Sequence, residues 1–321
     1  MMDARPMFRS LLSALWLRPE SAMWYGHMLT LAKKYLGNFE SPSLDFGCMD
    51  GVNSFILLDG RFDEAFDVYN EVQWDAQSHK QSTLNNDYFD TFNESESILI
   101  EKQPSHIFDL GIDWKDSHLS KCKRLGLYRN LQKIDVENPK FEAADNTFST
   151  IWAPNIYWMR NLDAVISELS RVLKKDGKII TIGPGSMQTE YMFYKYANSE
   201  NEEWLRNLDR GRYENSLASG RNFEAWQELF DAKGLYIENH EGFIPEIVAK
   251  TYDIGFRPMF PVFMNMFETL KENAPEDLAE LKKHWVNTVY ELVEPLCVTD
   301  WIDAKYPNDE KAWFIFELKK K

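Results

Sequence analysis

The chain has 321 residues, with 36 Lys or Arg against 51 Asp or Glu and a formal net charge of −15. Hydrophobic residues reach 44% and charged residues 27%, which supports a core, excludes a disordered chain, and at this length predicts one large domain or two smaller ones. The acidity argues against a nucleic-acid partner, because phosphate neutralisation supplies most non-specific affinity there.

Arg5 and Arg9 precede a short apolar run at 11–17. It is too brief for a membrane span, Arg18 follows, and no small-residue cleavage site appears, so it reads as an N-terminal helix. Residues 18–36 carry Met23, Trp24, Met28, Leu31 and Tyr35 at three- and four-residue steps, the mark of a second helix closed by Gly37. A strand at 44–46 runs into Gly47-Cys48-Met49-Asp50-Gly51, with a helix expected next. A polar stretch at about 74–104 reads as an insertion with little core of its own.

From there the pattern becomes regular. Strands are expected at 106–112, 130–134, 148–153 and 178–182, with helices at 115–125 and 162–173 and a turn at 174–177. A helix at 223–233, a strand at 235–239, two acidic helices at 259–273 and 275–296, and a closing strand at 312–318 complete the chain. Strands alternating with helices imply parallel βαβ units in an open α/β sheet. Residues 243–267 carry six aromatics, a concentrated share of the 46 in the chain. Cys48, Cys122 and Cys297 are odd in number and far apart, which suits a reducing compartment and predicts neither a disulfide framework nor a zinc site. No His has metal-ligand spacing, so no metal is expected.

In an open α/β sheet, ligands bind beyond the carboxyl ends of the strands, and glycines there let backbone approach a cofactor. Asp45-Phe46-Gly47-Cys48-Met49-Asp50-Gly51 is such a turn. A ribose needs an acid at the end of the next strand. Glu71 lies 20 residues after Gly51 and Asp113 lies 62 after it. Asp113 is the choice, because a helix and a further strand ending at Asp135 follow it, whereas the chain after Glu71 turns polar.

In this order the motifs resemble the class I S-adenosylmethionine-dependent methyltransferases, in the broad branch acting on small molecules and glycans. The match covers 44–183. It comprises Asp45 to Gly51, Gly111-Ile112-Asp113, Asp145-Asn146-Thr147-Phe148-Ser149-Thr150-Ile151, and the helix–turn–strand from Glu168 through Arg171-Val172-Leu173-Lys174 to Gly177-Lys178-Ile179. The resemblance implies a Rossmann-like seven-stranded sheet, mostly parallel with an antiparallel last strand, carrying helical lid insertions. It divides the chain into a helical cap at 1–40, a core at 41–243 and 311–321, and a helical substrate lid at 244–310.

S-adenosylmethionine is the implied cofactor. Asp45, Gly47 and Gly51 would frame its methionyl part, Asp113 would bind its ribose hydroxyls, Asp135 with Val136 its adenine, and Asn155 would sit near its sulfonium, with Cys48 and Trp114 as further candidate cofactor contacts. Two positions depart from the family. Met49 stands where Gly is common, and Ser149 where an acid often follows the strand Phe. Trp158, Tyr252 and Arg257 are candidate substrate contacts, since Arg forks onto oxyanions and aromatic faces stabilise cations. His240 and Tyr157 are candidates for the catalytic group. Arg18 is a candidate for the cofactor carboxylate. The implied setting is cytoplasmic, with a small-molecule or glycan partner. A methyltransferase of RNA or protein, which needs a basic groove, and a non-catalytic module of the same fold are the alternatives.

Overall fold

The computed structural model describes residues 2–70, 72, 88–91, 98–135 and 138–321. Helices Arg5–Ala14 (α1) and Pro19–Leu36 (α2) precede the strand Ser43–Phe46 (β1) and the helix Val52–Leu57 (α3). Strand Arg61–Phe62 (β2) pairs antiparallel with Ile100–Lys102 (β3), so the far end of the expected polar insertion is tied down as a strand. The greater part of that insertion, Glu71 and Val136 lie outside the described residues.

Next come Phe108–Asp113 (β4), Asp116–Leu125 (α4), Tyr128–Lys133 (β5), Phe148–Ala153 (β6), Leu162–Val172 (α5) and Leu173–Pro184 (β7). Helices Glu202–Asp209 (α6), Arg212–Ser219 (α7) and Phe223–Asp231 (α8) lead to Leu235–Phe243 (β8). Helices Glu246–Lys250 (α9), Phe260–Asn273 (α10), Leu278–Val293 (α11) and Asp300–Lys305 (α12) then separate β8 from Trp313–Lys320 (β9).

Seven strands form one sheet in the order β5-β4-β1-β6-β7-β9-β8. Pairing is parallel through β7 and antiparallel on both sides of β9. The sheet is therefore Rossmann-like and mostly parallel, with the last strand reversed. The chain builds outward from β1 through β4 to β5, then returns to β6 and β7. Its switch point lies between β1 and β6, where ligands bind in such sheets.

The alternation of side chains along each strand separates two cores. On β6, Ile151 and Ala153 join one and Trp152 the other; on β7, Ile179 parts in the same way from Ile180 and Ile182. One face is covered by α5 and α8. Asn161 caps α5 by accepting from the Ala164 N–H at 3.2 Å, and Val165, Ile166, Leu169 and Val172 line its buried face. Trp226 and Phe230 of α8 lie 5.8 and 5.3 Å from the Phe316 ring. Each such buried side chain contributes about 1.5–3 kcal/mol. The other face is covered by α1, α2 and the helices between β8 and β9, whose Val248, Tyr252, Met264, Phe267 and Val289 share a core with Trp16, Met28 and Trp152.

One strand expectation needs correction. The turn at 174–177 is instead part of one long strand. Its pairing with β6 jumps from Phe148↔Leu173 to Thr150↔Lys178, and the residues between them bulge out of the ladder. Helices α6 and α7 had no counterpart in the sequence reading, because they are short and carry no sustained apolar stripe.

Candidate functional site

The loop after β1 is shaped by its backbone. Gly47 and Gly51 have φ of +77° and +81°, a region that costs glycine nothing. Gly47 and Cys48 donate their N–H groups to the Ile112 carbonyl at 2.8 and 2.9 Å, which staples the loop to the end of β4. Asn155, just past β6, donates through Nδ2 to the Gly47 carbonyl at 2.8 Å. A Cβ on Gly47 would stand 3.2 Å from the Asn155 Cβ, so the two residues meet across the switch point.

Met49 has φ of +52°, left-handed backbone for a residue with a side chain. Its N–H donates to Asp113 Oδ2 at 3.0 Å. Asp113 Oδ1 accepts from the Lys115 N–H at 2.9 Å and lies 2.9 Å from His118 Nδ1. The Asp113 carboxylate is 3% exposed and held by three protein groups. His118, the side chain among them, was not singled out from sequence. Its five-residue offset from Asp113, across a turn and into a helix, was the signal available.

Asp45 does not face the open side of the loop. It is fully buried on the sheet face of Trp152, and its Oδ2 accepts from the Tyr128 hydroxyl at 2.8 Å. Its Oδ1 has no hydrogen-bond partner. Burial pushes the Asp45 carboxyl up to about 7, against the opposing pull of the nearby Ser54 and Tyr128 hydroxyls. Cys48 and Cys122 are buried with their sulfurs 3.8 Å apart, and Cys122 Sγ also lies 3.1 Å from the Met49 carbonyl oxygen. The fold thus brings together two thiols 74 residues apart, and burial raises both of their pKa values.

Beyond the ends of β4 and β5 lies an open depression of about 710 Å³, lined by Asp90, Trp114, Lys115, Asp116, Ser117, Lys133, Ile134 and Asp135. Trp114 and Asp135 are therefore brought together. Lys115 Nζ donates to both oxygens of Asp90 at 2.8 and 2.9 Å and closes one side.

On the other side of Asn155, Tyr157 is buried and Trp158 half-buried. Burial raises the Tyr157 pKa, with Tyr25, Tyr252 and Arg212 in its field. Tyr252 and Arg257 flank Asp253 in a π-helical turn, Thr251–Phe256, running into a 3-10 turn. Asp253 Oδ2 accepts from Arg212 Nη1 at 3.0 Å and from Arg257 Nε at 3.3 Å. Arg18 donates to Glu20 Oε1 at 2.7 Å, with its guanidinium 5.0 Å from the Phe260 ring centre.

His240 does not join this site. It stands exposed within the edge strand β8, its ring 4.2 Å from Phe223, with β9, β7 and β6 between it and β1. Among the described residues no group of His, Cys, Asp and Glu has the arrangement to hold a metal, and no helix is long and apolar enough to cross a membrane.

No family model matches the chain, and no curated protein does. Solved structures resemble it at low identity. The cyclase SpnF is 14% identical with a TM-score of 0.46, over 94% of this chain and 82% of that one. An S-adenosylmethionine-dependent methyltransferase from Geobacter sulfurreducens, solved with S-adenosylhomocysteine, is 15% identical with a TM-score of 0.45, over 100% of both chains. Another from Thiobacillus denitrificans, also solved with S-adenosylhomocysteine, is 12% identical with a TM-score of 0.43, over 91% and 90%. The strand order β5-β4-β1-β6-β7-β9-β8 by itself defines the Rossmann-like fold.

Proposed function

We propose that the chain transfers a methyl group from S-adenosylmethionine to an oxygen or nitrogen of a small molecule or glycan. The observation that carries this reading is the junction at the switch point. There a loop with two left-handed glycines is tied to Asn155 on one side and rests on Asp113 on the other. When bound, S-adenosylmethionine supplies a methyl carbon already activated by a sulfonium. The depression beside Trp114 and Asp135 suits an adenosine group. Tyr157 and Trp158 offer aromatic faces near Asn155 for a cation.

Asp113 is where the fit demands a change. A carboxylate offers about four lone-pair sites, three donors hold this one, and a ribose diol needs two acceptors. His118 is the donor that can swing away by side-chain rotation. The residues would otherwise act by orientation, the main requirement of an in-line displacement. Burial raises the Tyr157 pKa. At neutral pH its phenol therefore keeps its proton and positions an acceptor rather than deprotonating it. On this reading residues 1–40 are a cap, 244–310 a substrate lid, and Tyr252 and Arg257 contacts to the acceptor. The free thiols agree with a cytoplasmic setting.

Isothermal titration with S-adenosylhomocysteine tests this. Binding in the micromolar range, about −8 kcal/mol, is expected, with at least a tenfold loss in Asp113→Ala. Binding no tighter than millimolar, or unchanged binding in the variant, would overturn it. The left-handed Met49 and the occupied Asp113 favour a second reading, a non-catalytic module of the same fold. That reading predicts no cofactor binding in the wild type and recovery in Met49→Gly.

A further inference from the structure

A cluster of charged side chains lies where the helices between β8 and β9 meet α7. Asp253 is 1% exposed, and its Oδ1 accepts from the Phe193 N–H at 2.8 Å. Its Oδ2 is shared by Arg212 and Arg257. The Arg212 guanidinium also lies 5.6 Å from the Phe193 ring centre. Asp209 Oδ1 approaches Arg212 Nη2 to 3.6 Å, too far for a hydrogen bond, while Asp209 Oδ2 accepts from the Tyr213 N–H at 2.9 Å.

Arg212 Nε and Nη2 are consequently buried without a hydrogen-bond acceptor, and Asp209 Oδ1, likewise unbonded, serves Nη2 only as a longer ion-pair partner. Buried donors left in this state cost about as much as a lost hydrogen bond each. These two share one edge of the planar guanidinium, the edge that takes two oxygens of a carboxylate or phosphate side by side. Burial works against the Arg212 charge, but the carboxylates of Asp253 and Asp209 outweigh it and keep the group cationic. Burial and the neighbouring Arg212 lower the pKa of Arg257. One carboxylate thus serves two guanidiniums.

The cluster borders the switch point. Asn215, on the same helix as Arg212, donates to the Tyr157 carbonyl at 3.3 Å, two residues beyond Asn155. Tyr157, Tyr252 and Arg212 lie in one another's field.

We infer that the buried Nε/Nη2 edge of Arg212, once Asp209 moves aside, recognises an oxyanion, a carboxylate or a phosphate monoester, carried by the methyl acceptor. This rests on the methyl-transfer reading and narrows the acceptor to an anionic small molecule. Asp253 fixes the guanidinium through its other edge. Asp209 stands near the recognition edge as the internal anion that an incoming one displaces.

The test uses the full chain, titrated with inorganic phosphate and separately with acetate at constant ionic strength, in Arg212→Lys and Arg212→Gln beside the wild type. At least one anion should bind the wild type tenfold or more tightly than chloride and lose tenfold or more in both variants. The one that binds identifies the group. Arg212→Lys keeps the charge without the fork, so its loss separates geometry from charge. Arg129→Gln, on the exposed side of β5, should leave binding unchanged. If neither variant folds, the melting temperature of the wild type decides: it should rise with phosphate or acetate and not with chloride. Equal binding of all three anions, or binding indifferent to Arg212→Lys, overturns the inference. S-adenosylhomocysteine titrated in parallel keeps the two readings apart. Its failure removes methyl transfer and leaves the anion site readable, whereas anion failure with intact S-adenosylhomocysteine binding removes only the anion site.

Discussion

Met49, in the loop after β1, and Asp45, within β1, are held in states that cost free energy. A left-handed residue with a Cβ costs about 1–2 kcal/mol, and Met49 has that backbone at φ +52°. Met49→Gly removes the strain but adds freedom to the unfolded chain worth roughly 0.5–1 kcal/mol. Net stability should therefore move by no more than about 1 kcal/mol, while S-adenosylhomocysteine binding tightens several-fold, read by titration. Asp45 gives a pH signature. Its folded pKa of about 7 lies above the usual carboxylate range, so between about pH 4 and 7 the folded state holds a proton that the unfolded state has lost. Its contribution thus falls as pH rises through that window and is flat above it, roughly 1.4 kcal/mol per pH unit at most. Asp45→Asn should abolish this slope. Urea midpoints at pH 5 and pH 8 measure it, as the difference between wild type and variant.

Elements meet at the loop through positions that admit no side chain. A Cβ on Gly51 would stand 2.7 Å from Leu125 Cδ1 and 3.2 Å from Cys122 Sγ, both on α4, with φ at +81°. Gly51→Ala should therefore cost about 1–3 kcal/mol and shift the urea midpoint downward, with a parallel loss of S-adenosylhomocysteine affinity. Gly51 was legible as a loop glycine from its strand-to-helix position. Its packing against α4 was not, because 71 residues separate it from Cys122. His118 belongs to the same class. It reads as an isolated histidine in sequence and becomes an Asp113 partner once α4 starts beside the end of β4.

Across the whole molecule, the N-terminal helices and the segment between β8 and β9 are packed as one body on one face of the sheet. Trp16 is 1% exposed, its ring lies 5.8 Å edge-on from Phe267, and its Nε1 donates to Asp67 at 2.7 Å. Trp285 Nε1 donates to the Trp16 carbonyl at 2.8 Å. Truncating a buried Trp costs about 3–5 kcal/mol. Trp16→Ala should lower stability by about that amount and raise the rate of proteolysis within 244–310, followed by mass spectrometry of the fragments.

Local signals and long-range contacts divide what could be known. Periodicity alone determined the strand and helix succession from β4 to β7, and the glycine turn marked the loop after β1, because hydrophobic spacing and left-handed backbone are properties of neighbouring residues. The acidic balance and the aromatic density of 243–267 were likewise readable. Strand order, however, decided which ends lie together, and it set Asn155 on Gly47 while leaving His240 at the far edge. Tertiary packing alone turned Asp45 inward, surrounded Asp113 with donors, brought Cys48 to Cys122, and left one edge of Arg212 without an acceptor. Each of these depends on groups distant in sequence, whose contacts exist only after the sheet has closed its order and the helices have covered it.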